Sequence, residues 1–503
     1  MKRILAFFLL CLMLTGCAGE SVYVPTGDGL WDGTGTAAPT QPEEPKNIIL
    51  VYNNEASMNP YESSDVTNRT LFSLIYQGLF AVNRDYNTEP ILCREYRVSD
   101  DLRTYTFYLE NALFSDGTAL TAQDVVASLE KAKKASYYSG RFGHVKSISA
   151  GEDGSVVITM KDACENLPLL LDIPIVKADQ VDAAAPIGTG LYVFETTQLR
   201  RQAAWWCAAQ PAVSVSSIAL VTGETPSQIR DRFEFENLSL VTTDPGSDNY
   251  VDFRGDYELW DCESGLFVYL GFNMKSKVFS NGALRTAVTY GIDRDSLVTD
   301  QFRGFAQSAV LPASPSSPYY SQSLARRYGY DPEKLKQAVT EAQLENSAVT
   351  LLVNKDDSRR VRAARSVAKM LGEAGLKVTV SAQSSSAFQS DLKKGNYDLY
   401  LGQTKLSANM DLTAFFAEKG SLSYGGIANV AAYALSLESL ANAGNYYNLH
   451  KLVLEEGLLC PVLFRSYAIY GCRGDLTGLS PARDNVFYYS LGKTMEGALL
   501  PNE

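Results

Sequence analysis

Residues 349–405 read VTLLVNKDDSRRVRAARSVAKMLGEAGLKVTVSAQSSSAFQSDLKKGNYDLYLGQTK, and their apolar residues recur with two different periods. Val349–Val353, Val378 with Val380, and Tyr397–Leu401 are short apolar runs typical of buried β-strands. A helical stripe ending near Gly375 separates the first two runs, and a shorter helix is predicted around Phe388; the stripe consists of Val361, Ala364, Ala368 and Leu371. Strand, helix, strand, helix and strand with short links predict a largely parallel α/β sheet covered by helices.

The position of this sheet predicts where a ligand binds. Ligands of open α/β sheets bind outside the carboxyl ends of the strands. Asn354-Lys355 and Gly402-Gln403-Thr404-Lys405 are expected to leave the sheet at that edge. Earlier in the chain, Asn53, Asn54 and Glu55 follow a short strand predicted at Ile48–Val51 and are further candidates for ligand contacts.

Other local patterns are structural signals. Tyr105, Phe107 and Leu109 alternate with polar residues as in a half-buried strand. Thr121 is expected to cap a helix over Thr121–Lys134, with Asp124 three residues on, and Asn281 to begin another helix. Asp116, in the turn before the first of these helices, is interpreted as a turn residue.

The first seventeen residues have the pattern of a secretory signal. Lys2 and Arg3 precede an apolar run from Ile4 to Leu14, which is too short to span a bilayer. Leu14-Thr15-Gly16-Cys17 resembles the lipobox of bacterial lipoproteins, which implies that residues 1–16 are removed and that Cys17 carries the lipid. An ordinary signal peptide with a chance cysteine is the alternative. Residues 17–46, rich in Pro and Gly, are predicted to be a flexible tether to the outer face of the cell membrane.

Composition argues against several classes of partner and against a cysteine metal site. A net charge of −12 argues against a nucleic-acid partner and against direct adhesion to anionic lipid. Beyond Cys11 and Cys17, six widely spaced cysteines show no metal-ligand pattern: Cys93, Cys164, Cys207, Cys262, Cys460 and Cys472. They permit about 15 disulfide connectivities, among which the sequence does not choose, and buried free thiols are equally compatible.

A series of short runs recurs in order between residues 47 and 300. It consists of Met58-Asn59-Pro60-Tyr61, Ile75–Phe80, Ser99-Asp100-Asp101, Tyr105-Thr106-Phe107, Phe114–Gly117, Ala122–Val125, Gly188–Tyr192, Leu270–Asn273, Phe279–Asn281, Arg285 and Ile292–Arg294. In order and spacing these runs resemble the extracellular solute-binding proteins of the peptide and nickel transporter family (family 5, with the oligopeptide- and dipeptide-binding proteins). The resemblance implies a two-lobed, type II periplasmic-binding-protein-like α/β fold with an extra subdomain in the first lobe.

By the same resemblance, lobe one holds residues 47–60, 186–269 and 472–503, its extra subdomain holds residues 61–185, and lobe two holds residues 270–471. The hinge crossings are expected at Tyr269-Leu270 and Tyr470-Gly471. The implied function is an extracytoplasmic, membrane-anchored component of an ABC importer, a monomer that hands a peptide or similar small polar solute to permease subunits. A lipoprotein that senses a peptide signal is an alternative that the sequence does not separate from import.

The chain departs from the family's pattern where a peptide amine is bound. Peptide binders carry a Trp and, three residues on, an Asp just after the strand that matches Tyr397–Leu401. Lys405 and Ala408 occupy these positions here, and Asp411 falls near a following acidic position. Lys405 is interpreted either as a partner for a carboxylate, a phosphate or another polar ligand, or as a solvated loop residue.

Metal transport and catalysis have little support in the sequence. His144 and His450 are the two histidines, and they are expected to be surface or packed residues rather than metal ligands. Neither a Gly-x-Ser-x-Gly elbow nor a His-Glu-x-x-His motif occurs, so we expect no enzyme, no cofactor and no catalytic residue. A hydrolase that uses two carboxylates is the remaining enzymatic alternative.

Overall fold

The computed structural model describes residues 47–208, 213–223, 225–476 and 478–492, and the backbone of 498–499. The predicted signal peptide, Cys17 and the tether lie outside these residues. From Lys46 onward the chain forms one compact unit.

Strands and helices alternate along the described chain. The strands are β1 (Ile48–Tyr52), β2 (Phe80–Val82), β3 (Thr88–Pro90), β4 (Cys93–Val98), β5 (Thr104–Leu109), β6 (Val145–Ala150), β7 (Val156–Met160), β8 (Tyr192–Glu195), β9 (Gln198–Arg201), β10 (Ser217–Thr222), β11 (Leu240–Thr243), β12 (Tyr257–Phe272), β13 (Ala306–Ser308), β14 (Ala348–Asn354), β15 (Lys377–Gln383), β16 (Leu399–Lys405), β17 (Leu459–Cys472) and β18 (Ala498–Leu499). The α-helices are α1 (Val66–Ile75), α2 (Ala122–Ala132), α3 (Pro226–Phe235), α4 (Gly282–Gly291), α5 (Arg294–Phe302), α6 (Gln322–Arg327), α7 (Pro332–Glu341), α8 (Ser358–Glu373), α9 (Ser385–Lys394), α10 (Thr413–Phe416), α11 (Val430–Ala441) and α12 (Tyr446–Glu455).

The α/β unit expected between residues 349 and 402 is confirmed. β14 pairs in parallel with both β15 and β16. Leu351 and Val353 pack on one face against α8, while Leu352 packs on the other against Phe388, so helices cover both faces of β14. One detail is wrong: Gly402–Lys405 do not leave the sheet. They extend β16, because the long strand β12 continues to pair with them antiparallel from Leu266 to Tyr269.

β12 and β17 join this unit to the rest of the molecule. They pair antiparallel from Tyr257 opposite Cys472 to Gly271 opposite Leu459. The far end of β17 pairs with β11, and the large sheet has the order β15-β14-β16-β12-β17-β11-β1-β10-β9-β8 in the described chain, with β13 beside β17. Two long strands therefore belong to both halves of the sheet.

The four residues expected at the hinge lie within these two strands. Tyr269 and Leu270 pair with β16 and β17, and Tyr470 and Gly471 pair with β11 and β12. The register of β12 against β17 shifts at two places, between Glu263 and Leu266 and again between Val268 and Tyr269. The hinge position stays a prediction.

Residues 61–185 contribute every strand of the smaller sheets except β18, which comes from residues 498–499. One has the order β18-β4-β5-β7-β6, and β2 pairs with β3. Tyr105 and Phe107 are buried as the alternation predicts. Thr121 caps α2 in a capping box with Asp124, and Asp116 accepts hydrogen bonds from Thr118 within its turn, which confirms the structural interpretation of these residues.

The cysteines of the described chain are free thiols. Cys93, Cys164, Cys262 and Cys460 are buried, while Cys207 and Cys472 are half-buried. Of the two interpretations left open by the sequence, the structure therefore has buried thiols that pack as small apolar side chains.

Gly265 lies where the register of β12 against β17 shifts, and a substitution there tests the backbone conformation at this shift. Its φ is +67°, and a Cβ built there would collide with the guanidinium of Arg483. We expect Gly265→Ala to lower the free energy of unfolding by about 1–3 kcal/mol in a denaturant titration.

Gly372→Ala is the matched control. Gly372 lies in α8 with nothing within 4 Å of an added Cβ, so this variant should be neutral or slightly stabilising. Equal stability of the Gly265 variant and the wild-type protein would contradict the strain assigned to this position.

Candidate functional site

A cavity of about 770 Å³, its open mouth included, lies beside α1 and the segment that follows Ala482. Its polar lining consists of Arg69, Ser73, Gln77, Arg141, Asp172, Arg483, Asp484 and Asn485, together with Tyr76, Tyr138 and Tyr489. Phe72, Phe80 and Ile91 supply apolar walls.

Four buried polar atoms in this lining lack a hydrogen-bond partner within the described protein. They are Ser73 Oγ, Arg483 Nε, Asp484 Oδ1 and Asn485 Oδ1. Leaving such an atom unpaired costs about 1–3 kcal/mol, so folded proteins rarely do so without a reason. Their presence around one cavity is what a site for a polar ligand requires.

A second cavity, of about 900 Å³ with its mouth, shares Arg141 and Arg483 with the first. Thr404, Lys405 and Asp411 line it from the other side. The structure thus brings three of the sequence-predicted ligand residues to a cleft, opposite residues from distant parts of the chain. No sequence pattern had indicated Arg483, Asp484 or Asn485.

Lys405 is engaged by protein groups at the base of this cleft. Its Nζ donates hydrogen bonds to Tyr137 Oη at 2.8 Å, to the Ser264 carbonyl at 2.8 Å and to Asp484 Oδ2 at 2.5 Å. Burial lowers the pKa of Lys405 to about 8, although the Asp484 carboxylate acts in the opposite direction. The interpretation of Lys405 as a solvated loop residue is wrong, because it ends β16 and its ammonium is buried in an ion pair.

Asp411 lines the cleft and is also paired with His144. His144 Nε2 lies 3.1 Å from Asp411 Oδ2 and 3.1 Å from Thr413 Oγ1, and its Nδ1 lies 2.9 Å from Asp162 Oδ2. Burial opposes protonation of the imidazole, but the Asp411 and Asp162 carboxylates outweigh it and raise the His144 pKa to about 9. His144 is therefore a packed, charged residue that joins residues 61–185 to residues 270–471. His450 is fully buried in α12, where desolvation lowers its pKa to about 3.

Gln403 belongs to a different cluster, centred on Arg465 of β17. Arg465 is 6% exposed; its Nη2 donates to both carboxylate oxygens of Asp244, and its Nη1 donates to Asp357 and Gln403. Sequence reasoning missed this residue. The available signal was a single charge inside the apolar run LCPVLFRSYAIYGC, which forms a buried strand.

The other candidate residues line neither cavity. Asn53 caps its own loop: it accepts from the Glu55 amide and contacts Asp65 and Asn68, while Asn54 and Glu55 are exposed. Ala408 is fully buried in the apolar core. Within the described residues no group of His, Cys, Asp and Glu is arranged to hold a metal ion, and no helix is long and apolar enough to cross a membrane.

The charge on His144 predicts that its contribution to the stability of the protein depends on pH. Because its folded pKa lies above the usual value of about 6.5, its stabilisation is fully present below pH 6.5 and is lost as the pH rises through about 9. We expect His144→Gln to destabilise the protein by on the order of 2 kcal/mol at pH 6 and far less at pH 10, in paired denaturant titrations.

Lys146→Gln, at an exposed residue of the adjacent strand β6, is the control and should show no such dependence between pH 6 and pH 9. A His144→Gln effect that is independent of pH would mean that the imidazole is not charged in the folded protein.

Comparison with known proteins finds relatives that are similar in sequence. The chain is 26% identical over 368 residues to the glutathione-binding protein GsiB of Escherichia coli K12, which covers 67% of this chain and 69% of that protein. The same protein of Salmonella choleraesuis is 26% identical over 366 residues, with the same coverage.

Solved structures share the fold. The substrate-binding protein CtaP of Listeria monocytogenes matches with a TM-score of 0.72 at 18% identity, over 88% of this chain and 98% of that one. The oligopeptide-binding protein AppA of Bacillus subtilis, solved with a nonapeptide, matches with a TM-score of 0.62 at 18% identity, over 90% of this chain and 99% of that one. These likenesses confirm the predicted α/β fold of the periplasmic-binding-protein type.

The family itself is identified by its own sequence model, described as bacterial extracellular solute-binding proteins, family 5, which matches residues 87–421. Members of this family are binding components of transporters rather than enzymes. The chain belongs to the family 5 bacterial extracellular solute-binding proteins.

Proposed function

We propose that this protein is the lipid-anchored, extracytoplasmic solute-binding component of an ABC importer, and that it binds a peptide or similar small polar solute between two lobes that close on it. The cavity carries this proposal, because four residues of its lining hold buried polar atoms without a partner among the described residues, and a polar solute supplies such partners. In this proposal, lobe one consists of residues 47–60, 186–269 and 472–503 with the subdomain 61–185. Lobe two consists of residues 270–471. The proposed monomer delivers the solute to permease subunits.

Contacts between the proposed lobes support a closing motion. Lys405 with Asp484, Asp411 with His144, and Arg465 with Asp244 each pair one residue of lobe two with one of lobe one or its subdomain. A solute that touches both sides favours the closed form by its differential affinity for the two states. β12 and β17 connect the lobes in this proposal, with the hinge near Tyr269-Leu270 and Tyr470-Gly471.

Relatives favour a peptide-like solute. The curated relatives bind glutathione, and the Bacillus subtilis structure holds a nonapeptide. Neighbours with nickel–histidine complexes are also similar in fold. The cavity of this chain offers guanidinium, carboxylate, amide and hydroxyl groups, which are the partners that a peptide backbone and its termini need.

Ligand binding can be tested by thermal denaturation of the purified chain with peptide pools, divalent metals and sugars. At a free ligand concentration about 100 times the dissociation constant, binding should stabilise the folded protein by about 2.7 kcal/mol and raise its melting temperature. Peptide pools are expected to do so. No shift with any of the three classes would contradict the proposed function.

The lipid anchor can be tested separately. Cys17→Ala should move the protein from the detergent phase to the aqueous phase in a cloud-point partition, because it removes the thiol that carries the lipid. Cys11→Ala, in the predicted signal peptide, is the matched control and should still partition into detergent. Detergent partitioning of the Cys17 variant would show that Cys17 is not the anchor.

A further inference from the structure

We propose that the cavity selects its solute by a carboxylate, held by the guanidinium groups of Arg69 and Arg483, and that a free amine on the solute is not required. This inference rests on the proposed function and names the chemical class of the solute. We draw it from a comparison of the charged groups around the cavity that already have partners with those that do not.

The ionised side chains that line the cavity fall into paired and unpaired groups. Arg141 pairs with Asp172, and Asp484 pairs with Lys405 from the facing β16. Arg69 and Arg483 have no carboxylate within ion-pair distance among the described residues. The lining therefore holds two guanidinium charges that no protein anion neutralises at close range.

Arg483 is placed to receive an anion. It is 3% exposed, its Nη2 donates to the Leu406 carbonyl across the cleft, and its Nε has no partner. The nearby carboxylate of Glu263 accepts hydrogen bonds from Tyr86 and Ser314 instead. A buried guanidinium with a free N–H lacks a compensating acceptor, which a carboxylate supplies with a charge-assisted bond.

Arg69 is held in place by an aromatic ring rather than by an acid. Its guanidinium carbon lies 3.3 Å from the centroid of the Tyr137 ring. Among the described residues, its two terminal nitrogens reach only the Tyr138 hydroxyl, at the long distances of 3.5 and 3.4 Å. Stacking orients the planar guanidinium and leaves its N–H groups available for an oxyanion.

The same cleft disfavours an ammonium group on the solute. Lys405 already supplies the ammonium that Asp484 binds, and Asp484 is 7% exposed. A second ammonium would meet the positive charges of Lys405, Arg69 and Arg483. The carboxylate oxygen without a partner among the described residues, Asp484 Oδ1, belongs to an acid whose charge Lys405 already neutralises. The remaining unpartnered acceptors, Asp484 Oδ1 and Asn485 Oδ1, suit neutral N–H or O–H donors such as amides and hydroxyls.

The test uses chemically matched ligand pools and the purified chain. One peptide pool is presented untreated, with its amines acetylated, and with its carboxylates methyl-esterified; a panel of non-peptide carboxylates and a panel of organic phosphates complete the set. We expect thermal stabilisation by the untreated and acetylated pools and its loss on esterification. Stabilisation that survives esterification, or that disappears on acetylation, overturns the inference while leaving peptide binding intact.

The two panels separate this inference from the proposed peptide specificity. Stabilisation by non-peptide carboxylates alone supports carboxylate recognition and contradicts a peptide solute. Stabilisation by organic phosphates alone overturns the carboxylate assignment. No stabilisation by any ligand contradicts both the inference and the proposed function.

Variants test which arginine binds the carboxylate of the solute. Arg69→Gln keeps a polar but shorter side chain and removes the charge, so affinity for the strongest carboxylate ligand in calorimetry should fall about tenfold or more. Arg69→Lys should retain part of that affinity, and Arg97→Gln, at an exposed arginine of β4, should leave it unchanged. Equal affinity of Arg69→Gln and the wild-type protein overturns the role of Arg69. A loss of affinity in Arg483→Gln, with folding verified by its melting curve, is expected as well.

Discussion

The antiparallel pairing of β12 with β17 is the constraint on which the rest of the structure depends. These strands carry β16 and its parallel neighbours at one end and β11, β1 and β10 at the other. Arg465 lies in β17 between these ends, where it binds Asp244 and Asp357 together. Because both halves share two continuous strands, any change in their relative position must come from bending or twisting these strands rather than from separation of independent domains.

Charged groups on facing segments dominate the space between the halves. Taking Lys405, Asp484 and Arg465 out of water costs free energy that their attraction offsets only in part. We propose that such contacts hold a specific arrangement without making it strongly favourable, so that a solute shifts an equilibrium between open and closed forms. The unpartnered atoms of Arg483, Asp484 and Asn485 fit that role, since a solute would complete their hydrogen bonds.

The sequence predicted what depends on local periodicity and missed what depends on distant neighbours. The strands and helices of residues 349–402 and the cap at Thr121 follow from nearby residues, and the structure confirms them. Gly402–Lys405 were expected outside the sheet because nothing local reveals that β12 runs on beside them. Lys405 meets Asp484 from 79 positions away, so no spacing rule indicates that contact.

Small-angle scattering of the purified chain, free and saturated with a ligand found by thermal shift, tests the central claim most directly. A cleft between two halves that share β12 and β17, and that a solute brings together, predicts a smaller radius of gyration for the loaded protein. An identical scattering curve for the free and loaded protein, with saturation verified in the same sample, would contradict closure and with it the account of how this protein presents its solute.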